Sequence, residues 1–340
     1  MTHSAAFNLS DPATFPSRRA EAWKYSDVRR YMRDAPPLSP PGRVEGAGPF
    51  YELGGDGLVF VNGRAVGADA YVAFGDHTLR LRFISDASGT GHTATARISA
   101  RPGSTLLLLE SHEGQGAAYA AHNRLSIDVP SGAAVHRIVL TDEPADSLSI
   151  TQAEVTVGEG AVFHQTLIAT GGRLQRLETH VHHAGHGADV RLDGLYRLTD
   201  SRHVDLTSVV THAGPDGLTS QLAKGVVTDT ARGVFQGRIV VERGADGTDA
   251  RMAHNALILS ERGEVDAKPE LIIYADDVQC AHGNTVGNLD ESALFYMQQR
   301  GLSAEEARAL LTRAFLFEVV DRIEHEGARE EVRTWLMERS

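Results

Sequence analysis

The chain has 340 residues, of which 41% are hydrophobic and 23% charged, as expected for a globular protein with a large core. Its 45 Asp and Glu outnumber its 33 Lys and Arg, and the net charge of −12 argues against binding to nucleic acid or to anionic lipid. No stretch approaches the roughly 20 apolar residues of a membrane helix. The N-terminus lacks the order of a secretory signal and the chain has one cysteine, so the sequence predicts a cytoplasmic protein.

The N-terminal stretch, residues 10 to 35, has a helical pattern. Its apolar residues are spaced three or four positions apart, at Ala22, Tyr25, Val28 and Met32. The next stretch, DAPPLSPPGRVEGAGP, is too rich in proline and glycine to be helical. We therefore expect an N-terminal helical region followed by a linker over residues 1–48.

Residues 49–287 consist of short runs rich in β-branched residues, such as LVFVNG and AEVTVGEG, separated by glycine. A glycine turn recurs every 27 to 30 residues, at Gly103, Gly132, Gly160, Gly187 and Gly217. A repeat of that length, with small residues at its corners, favours a mainly β protein built as a β-solenoid. The alternative is a β-sandwich in which the spacing of the turns is a coincidence.

Residues 288–340 again have a helical pattern. Asp290 is a candidate N-cap, Gly301 a helix stop, and Ser303 with Glu306 a capping box at the start of a second helix. Within that helix, AFLFEVV is apolar on more than one face and should be covered. The cover is either another helix of the chain, such as REEVRTWLMER, or a docked partner.

Histidine is frequent, with 16 residues, and forms one dense cluster in LETHVHHAGHGADV. The cluster consists of His180, His182, His183 and His186. On a strand, His180 and His182 would share a face with Glu178 and could bind a metal ion. We favour instead a row of histidines stacked on a solvated sheet face. His212 and His254 stand alone and are expected to be structural or solvated.

Motifs of nucleotide binding and hydrolysis are absent from the sequence: it has no P-loop, no GxSxG and no HExxH. Asp276 and Asp277 are adjacent acids, and many β-solenoids are enzymes that cleave polysaccharides with carboxylates. A cytosolic β-helix carbohydrate-active enzyme is therefore one alternative function. An interaction module without metal chemistry is another.

The only cysteine, Cys280, lies two residues before His282 in YADDVQCAHGNTVG. On a strand, both side chains face the same way. Thiolate and imidazole are preferred ligands of zinc, copper and iron–sulfur centres, but two ligands make at most half a site. From spacing alone we favour a buried cysteine that acts as a small apolar residue, over a half-site completed by a second polypeptide.

Two segments resemble one known family. The run LILSERGEVDAKPELIIYADDVQCAHGNTVGNLDESALFYMQQRGLSAEEARALLTRAFLFEVVDRI, residues 257–323, resembles the C-terminal signature of the SufD branch of the SufB/SufD family. PSRRAEAWKYSD resembles the family's N-terminal R-x-E-x-W-[KR]-[YF]-[ST] segment. The resemblance implies a right-handed parallel β-helix between two helical regions. The SufB branch is expected to carry several cysteines, so a single Cys280 favours the SufD branch.

The resemblance also implies a role and partners. A family member of this branch is a non-catalytic scaffold subunit of the SufBCD iron–sulfur cluster assembly complex. It is expected to pair with SufB through the C-terminal β-helix strands, or with a second copy of itself when SufB is absent. Its C-terminal helical region would bind SufC, an ABC-type ATPase. The candidate contacts for SufC are Phe315, Leu316, Phe317, Val319 and Val320.

The cluster site follows from the same resemblance. His282, the histidine of C-x-H-G, is expected to ligate iron at the SufB–SufD junction, with Cys280 as the second candidate. No cofactor is expected to bind tightly to the chain alone. An iron–sulfur cluster or iron would be held transiently at the interface, and reduced flavin in the complex. The sequence has no flavin fingerprint that would assign residues to it.

Overall fold

The computed structural model describes residues 7–183 and 186–339. In this part of the chain, strands occupy most of the middle and helices follow them. The strands are β1 (Asp56–Val61), β2 (Arg64–Ala65), β3 (Ala70–Ala73), β4 (Asp76–Ser85), β5 (Gly91–Ala100), β6 (Thr105–Gly114), β7 (Ala120–Val129), β8 (Ala134–Asp142), β9 (Leu148–Val157), β10 (Val162–Ala169), β11 (Leu174–His183), β12 (Asp189–Leu198), β13 (His203–His212), β14 (Leu218–Val227), β15 (Arg232–Val241), β16 (Asp249–Ile258), β17 (Glu264–Ile273) and β18 (Gln279–Gly287).

The strands form two parallel sheets between which the chain alternates. One sheet has ten strands in the order β18-β16-β14-β12-β10-β8-β6-β4-β1-β2, and the other has eight in the order β17-β15-β13-β11-β9-β7-β5-β3. Each coil places a residue beside its equivalent one repeat later, as in the pairing of Asp76 with Thr105. Among the strands listed above, which belong to the described residues, only β1 and β2 pair antiparallel. The predicted β-solenoid is confirmed, and the sandwich alternative is wrong.

Glycine makes the corners at which successive coils turn. Gly103, Gly132, Gly160 and Gly187 have φ values of 74°, 69°, 59° and 62°, in the left-handed region that glycine adopts without strain. Gly217 departs from this pattern. There the neighbouring Asp216 takes the positive φ, of 56°. Gly217 instead provides space, because a Cβ atom on it would lie 2.6 Å from His212 Nδ1.

The N-terminal region does not form the continuous helix that its periodicity predicted. It has short 3-10 turns at Pro12–Thr14 and Glu21–Trp23, and one α-helical turn, α1 (Val28–Tyr31). Trp23 is buried with Phe7 and Phe15 on the outer face of the eight-stranded sheet, whereas Ala22 is exposed. Tertiary burial of the tryptophan therefore overrides the local helical preference.

The C-terminal region contains α2 (Glu291–Gln299), α3 (Ala304–Val320) and α4 (Glu326–Glu338). The predicted capping residues of these helices are confirmed. Asp290 accepts hydrogen bonds from the backbone of α2, and Ser303 and Glu306 form the capping box of α3. Gly301 has a φ of 97° between the two helices. No helix within residues 7–183 and 186–339 is long and apolar enough to cross a membrane.

Candidate functional site

The C-terminal end of the β-helix is open. β17 and β18 are the outermost strands of their sheets, and each pairs along one edge only, with β15 and β16 respectively. Within the described ranges, no strand pairs with their other edges. Such an edge presents free backbone groups to which a strand of another chain can bind. Tyr274 and Val286 add exposed apolar side chains here, at 61% and 44% of full exposure.

Cys280 and His282 lie on β18, on the side of the strand that continues the core. Cys280 is in register with Ala250 and His282 with Met252, and both partners belong to the core between the sheets. Because side chains alternate along a strand, both candidate ligands face the interior side of the open end. Cys280 is half-buried against the last core residues, whereas His282 is exposed.

The two side chains differ in how readily they could bind a metal. Burial, and to a lesser extent the charge of Asp249, raises the pKa of the Cys280 thiol. The thiol must therefore lose a proton when it binds a metal ion. His282 lines a cleft of about 420 Å³ together with Met252, Arg251 and Arg322. The cleft gives an imidazole ligand direct access to solvent and to any partner at this end.

Most of the AFLFEVV segment is covered by the chain itself. Leu316, Val319 and Val320 are buried in a cluster formed by the outer face of the ten-stranded sheet and by α4. The stretch REEVRTWLMER, which lies in α4 except for its last residue, contributes to the same cluster, so the within-chain alternative accounts for these three side chains. Phe315 and Phe317 are half-buried at its rim. ATPase docking through this region stays a prediction, and a partner could reach the three buried residues only if α3 or α4 moved.

The histidine cluster is not a single solvated row. His180 Nε2 donates a hydrogen bond of 2.8 Å to Glu178 Oε1, while His182 and His186 are exposed. His183 is fully buried and stacks on His212, with 4.5 Å between ring centroids. The prediction of a solvated row therefore fails for His183, because its position in β11 faces the core.

The isolated histidines are structural. Burial lowers the pKa of His212 to about 3, and its Nε2 is 2.8 Å from Thr219 Oγ1. His254 lies between Tyr196 Oη, at 3.0 Å, and Asn284 Oδ1, at 2.7 Å. Burial lowers the pKa of His254 to about 4. Both rings are therefore neutral near pH 7.

Asp276 and Asp277 are exposed in the connection between β17 and β18. The carbonyl oxygen of Asp277 accepts a hydrogen bond of 2.7 Å from the Gly247 amide, which attaches this connection to the previous coil.

Sequence reasoning missed one group of possible ligands. Among the residues with described positions, His136, His164 and Glu324 are the set of three ligand-type side chains whose donor atoms lie within 4.8 Å of one another. The two histidines are one coil apart, in register on β8 and β10. Their 28-residue separation matches the glycine repeat and was the signal that could have paired them. Nothing local to either histidine points to Glu324.

Comparison with known proteins gives a consistent result. A family model described as "SUF system FeS cluster assembly, SufBD core domain" matches residues 83–315. The iron–sulfur cluster assembly protein SufD of Escherichia coli (strain K12) is 32% identical over 209 residues, which cover 62% of this chain and 49% of that protein. Protein ABCI7, chloroplastic, of Arabidopsis thaliana is 31% identical over 210 residues, covering 62% and 44%.

A third relative is the iron–sulfur cluster assembly protein SufD of Bacillus subtilis (strain 168), which is 34% identical over 128 residues, or 38% of this chain and 29% of that protein. The chain spans about half the length of the first relatives it matches. The family match begins in β4 and ends in α3, so it includes the open end of the β-helix with Cys280 and His282. The chain therefore belongs to the SufBD family of the SUF system for iron–sulfur cluster assembly.

Proposed function

We propose that this chain is a scaffold subunit of the Suf machinery that pairs with a SufB-like subunit and contributes His282 to the site where clusters form. One observation carries the proposal: His282 and Cys280 face the open end of the β-helix, beside two strands with unpaired edges. The geometry supplies a pairing surface and candidate ligands in the same place.

The site is incomplete in one chain, which supports the need for a partner. An iron–sulfur cluster usually takes four protein ligands, whereas β18 offers two. A partner strand on the free edge of β18 would lie about 4.8 Å away. Its side chains would then be neighbours of His282 and could supply the missing thiolate or carboxylate ligands. A second copy of this chain could occupy the same edge when the SufB-like subunit is absent.

We place the SufC-type ATPase on the C-terminal helical region. The apolar surface there includes the exposed Phe295 and Tyr296 of α2 and the half-buried Phe315 and Phe317 of α3. Because the inner face of α3 packs on the sheet, force applied to this helix would be transmitted directly to the β-helix. The ATPase activity would belong to the partner and not to this chain.

A cytoplasmic scaffold fits these observations better than a carbohydrate-active enzyme. Two of the three relatives are named as iron–sulfur cluster assembly proteins, and the family model describes cluster assembly. Asp276 and Asp277 sit together on one exposed turn. Glycosidases instead place their two carboxyl groups on opposite sides of the scissile bond, about 5 Å or more apart.

Replacement of His282 by alanine tests the proposal. We expect His282→Ala to assemble with its partners but to lose most of the iron and acid-labile sulfide bound per complex after anaerobic reconstitution. Cys280→Ser tests the second candidate ligand in the same assay. His182→Ala is the matched control, because His182 is also an exposed strand histidine but lies far along the chain in β11. A normal cluster yield in His282→Ala would contradict the proposed role.

A further inference from the structure

Two histidines meet across neighbouring strands on the outer face of the ten-stranded sheet. His136 of β8 and His164 of β10 are in register, and their ring centroids are 5.3 Å apart in an edge-to-face arrangement. Glu324 reaches over them from the connection between α3 and α4. Its Oε1 is 3.2 Å from His164 Nδ1, and its Oε2 is 3.9 Å from His136 Nδ1.

His164 is oriented as metal-binding histidines are. Its Nε2 hydrogen bonds to Asp189 Oδ2 at 3.3 Å, an arrangement that places the ring proton on Nε2 and leaves a lone pair on Nδ1. Nδ1 is buried and makes no hydrogen bond, although Glu324 Oε1 is only 3.2 Å away. Two electron-pair donors this close repel each other unless a proton or a metal ion lies between them.

The surrounding charges leave a ligand oxygen available. Arg191 donates a hydrogen bond of 3.0 Å to Glu324 Oε1 and another, of 2.8 Å, to the carbonyl of Arg322. The Arg322 side chain is itself occupied by Asp193, at 2.9 Å. Arg191 therefore engages one oxygen of Glu324, and Oε2 remains directed towards His136. His325 follows Glu324 in the chain, and its Nδ1 accepts from the backbone of α4.

We propose that His136, His164 and Glu324 bind a divalent first-row transition-metal ion, of the Zn²⁺ or Fe²⁺ class, which attaches the α3–α4 connection to the sheet. Two imidazoles and one carboxylate suit such ions better than Ca²⁺ or Mg²⁺, which take oxygen ligands. Donor atoms around tetrahedral zinc are about 3.4 Å apart. The donor atoms of these three side chains lie within 4.8 Å of one another, so they have to approach by at most about 1.4 Å. This site goes beyond the proposed function, since it lies outside the β-helix end that carries His282.

Cobalt(II) is a suitable probe, because its visible absorption changes when nitrogen and oxygen ligands bind it. The parent for the test is the full untagged chain with Cys280→Ser and His282→Ala, so that the proposed cluster ligands are absent. After treatment with a chelator, we expect this parent to bind one cobalt ion per chain. His136→Gln and Glu324→Gln should each weaken binding by at least about tenfold. His180→Gln is the control, since His180 also contacts two carboxylates but belongs to another sheet.

A second measurement needs no substitution at the site. Modification of His136 by diethyl pyrocarbonate, mapped by mass spectrometry, should be blocked by one equivalent of Zn²⁺, while the exposed His186 continues to react. Three results overturn the proposal: no cobalt binding by the parent, an affinity for cobalt in both site variants equal to that of the parent, or modification of His136 that Zn²⁺ does not block. Since the parent lacks Cys280 and His282, none of these results bears on cluster assembly.

Discussion

At the residue scale, burial separates the histidines into structural rings and accessible ligands. Burial lowers the pKa of several of them to about 4, namely those of His92, His122, His203 and His254. An exposed histidine has a pKa near 6.5. The unfolded chain therefore binds more protons than the folded one between about pH 6.5 and pH 4, and stability should fall as the pH decreases through this range.

His254 allows this dependence to be measured for one residue. Each such histidine should contribute about 1.4 kcal/mol per pH unit to the slope of unfolding free energy against pH in that range. His254→Gln removes the titrating group, so we expect its slope to be shallower by about that amount. Urea unfolding at several pH values measures this slope, and His186→Gln, at an exposed position, is the control. Equal slopes for His254→Gln and the parent would show that His254 is protonated in the folded state.

The sequence could predict that Cys280 and His282 share a face, because alternation along a strand depends only on a spacing of two. The group of His136, His164 and Glu324 could not be predicted as a whole. Its histidines are joined by the register between coils, and Glu324 is brought to them by the packing of α3 on the sheet. Both relations depend on tertiary structure that no local pattern encodes.

At the element scale, the sequence predicted correctly those features of the backbone that depend on neighbouring residues alone. The capping box of Ser303 and Glu306 and the left-handed Gly301 were predicted, because each involves a few consecutive residues. The prediction of an N-terminal helix was wrong, since the spacing of apolar residues assigned Ala22 and Tyr25 to the buried face. The structure instead buries Trp23 and Ser26, whose hydroxyl donates to Asp205 of β13.

Substitution of Trp23 tests which residues attach the N-terminal region. Trp23 is 2% exposed, packs among the aromatic side chains of this region and lies 4.2 Å from Arg176 of β11 in a cation–π contact. Trp23→Ala should lower the free energy of unfolding by about 3–5 kcal/mol. Tyr25→Ala, at a half-buried position two residues away, should lower the free energy of unfolding clearly less. Urea denaturation measures both, and a larger effect at Tyr25 would support the helical face that the sequence predicted.

At the scale of the whole molecule, the glycine repeat predicted the coiled architecture but not what covers its faces. The repeat was visible because each coil has nearly the same length. The N-terminal region covers one sheet and α3 with α4 covers the other, through contacts between segments that are far apart in the chain. The C-terminal end, with β17 and β18, stays open. It is the part of the β-helix at which we expect a partner to bind.

A charge placed on the open edge tests this expectation. Val286→Lys puts a lysine on β18, and lysine on an edge strand opposes pairing with another strand. We expect binding of the SufB-like partner to weaken at least about tenfold, which corresponds to about 1.4 kcal/mol. Val72→Lys on β3, the edge strand at the other end, is the matched control, because Val72 is 50% exposed. Equal losses in both variants, measured with purified partners, would argue against pairing through β18.

The most direct test of the scaffold role is an anaerobic co-purification of the tagged full chain with its native partners, assayed for iron and acid-labile sulfide. We predict that a SufB-like protein and an ABC-type ATPase are recovered together with iron and sulfide, and that His282→Ala recovers the same proteins without the cluster. Recovery of the chain alone, free of iron and sulfide, would contradict the account.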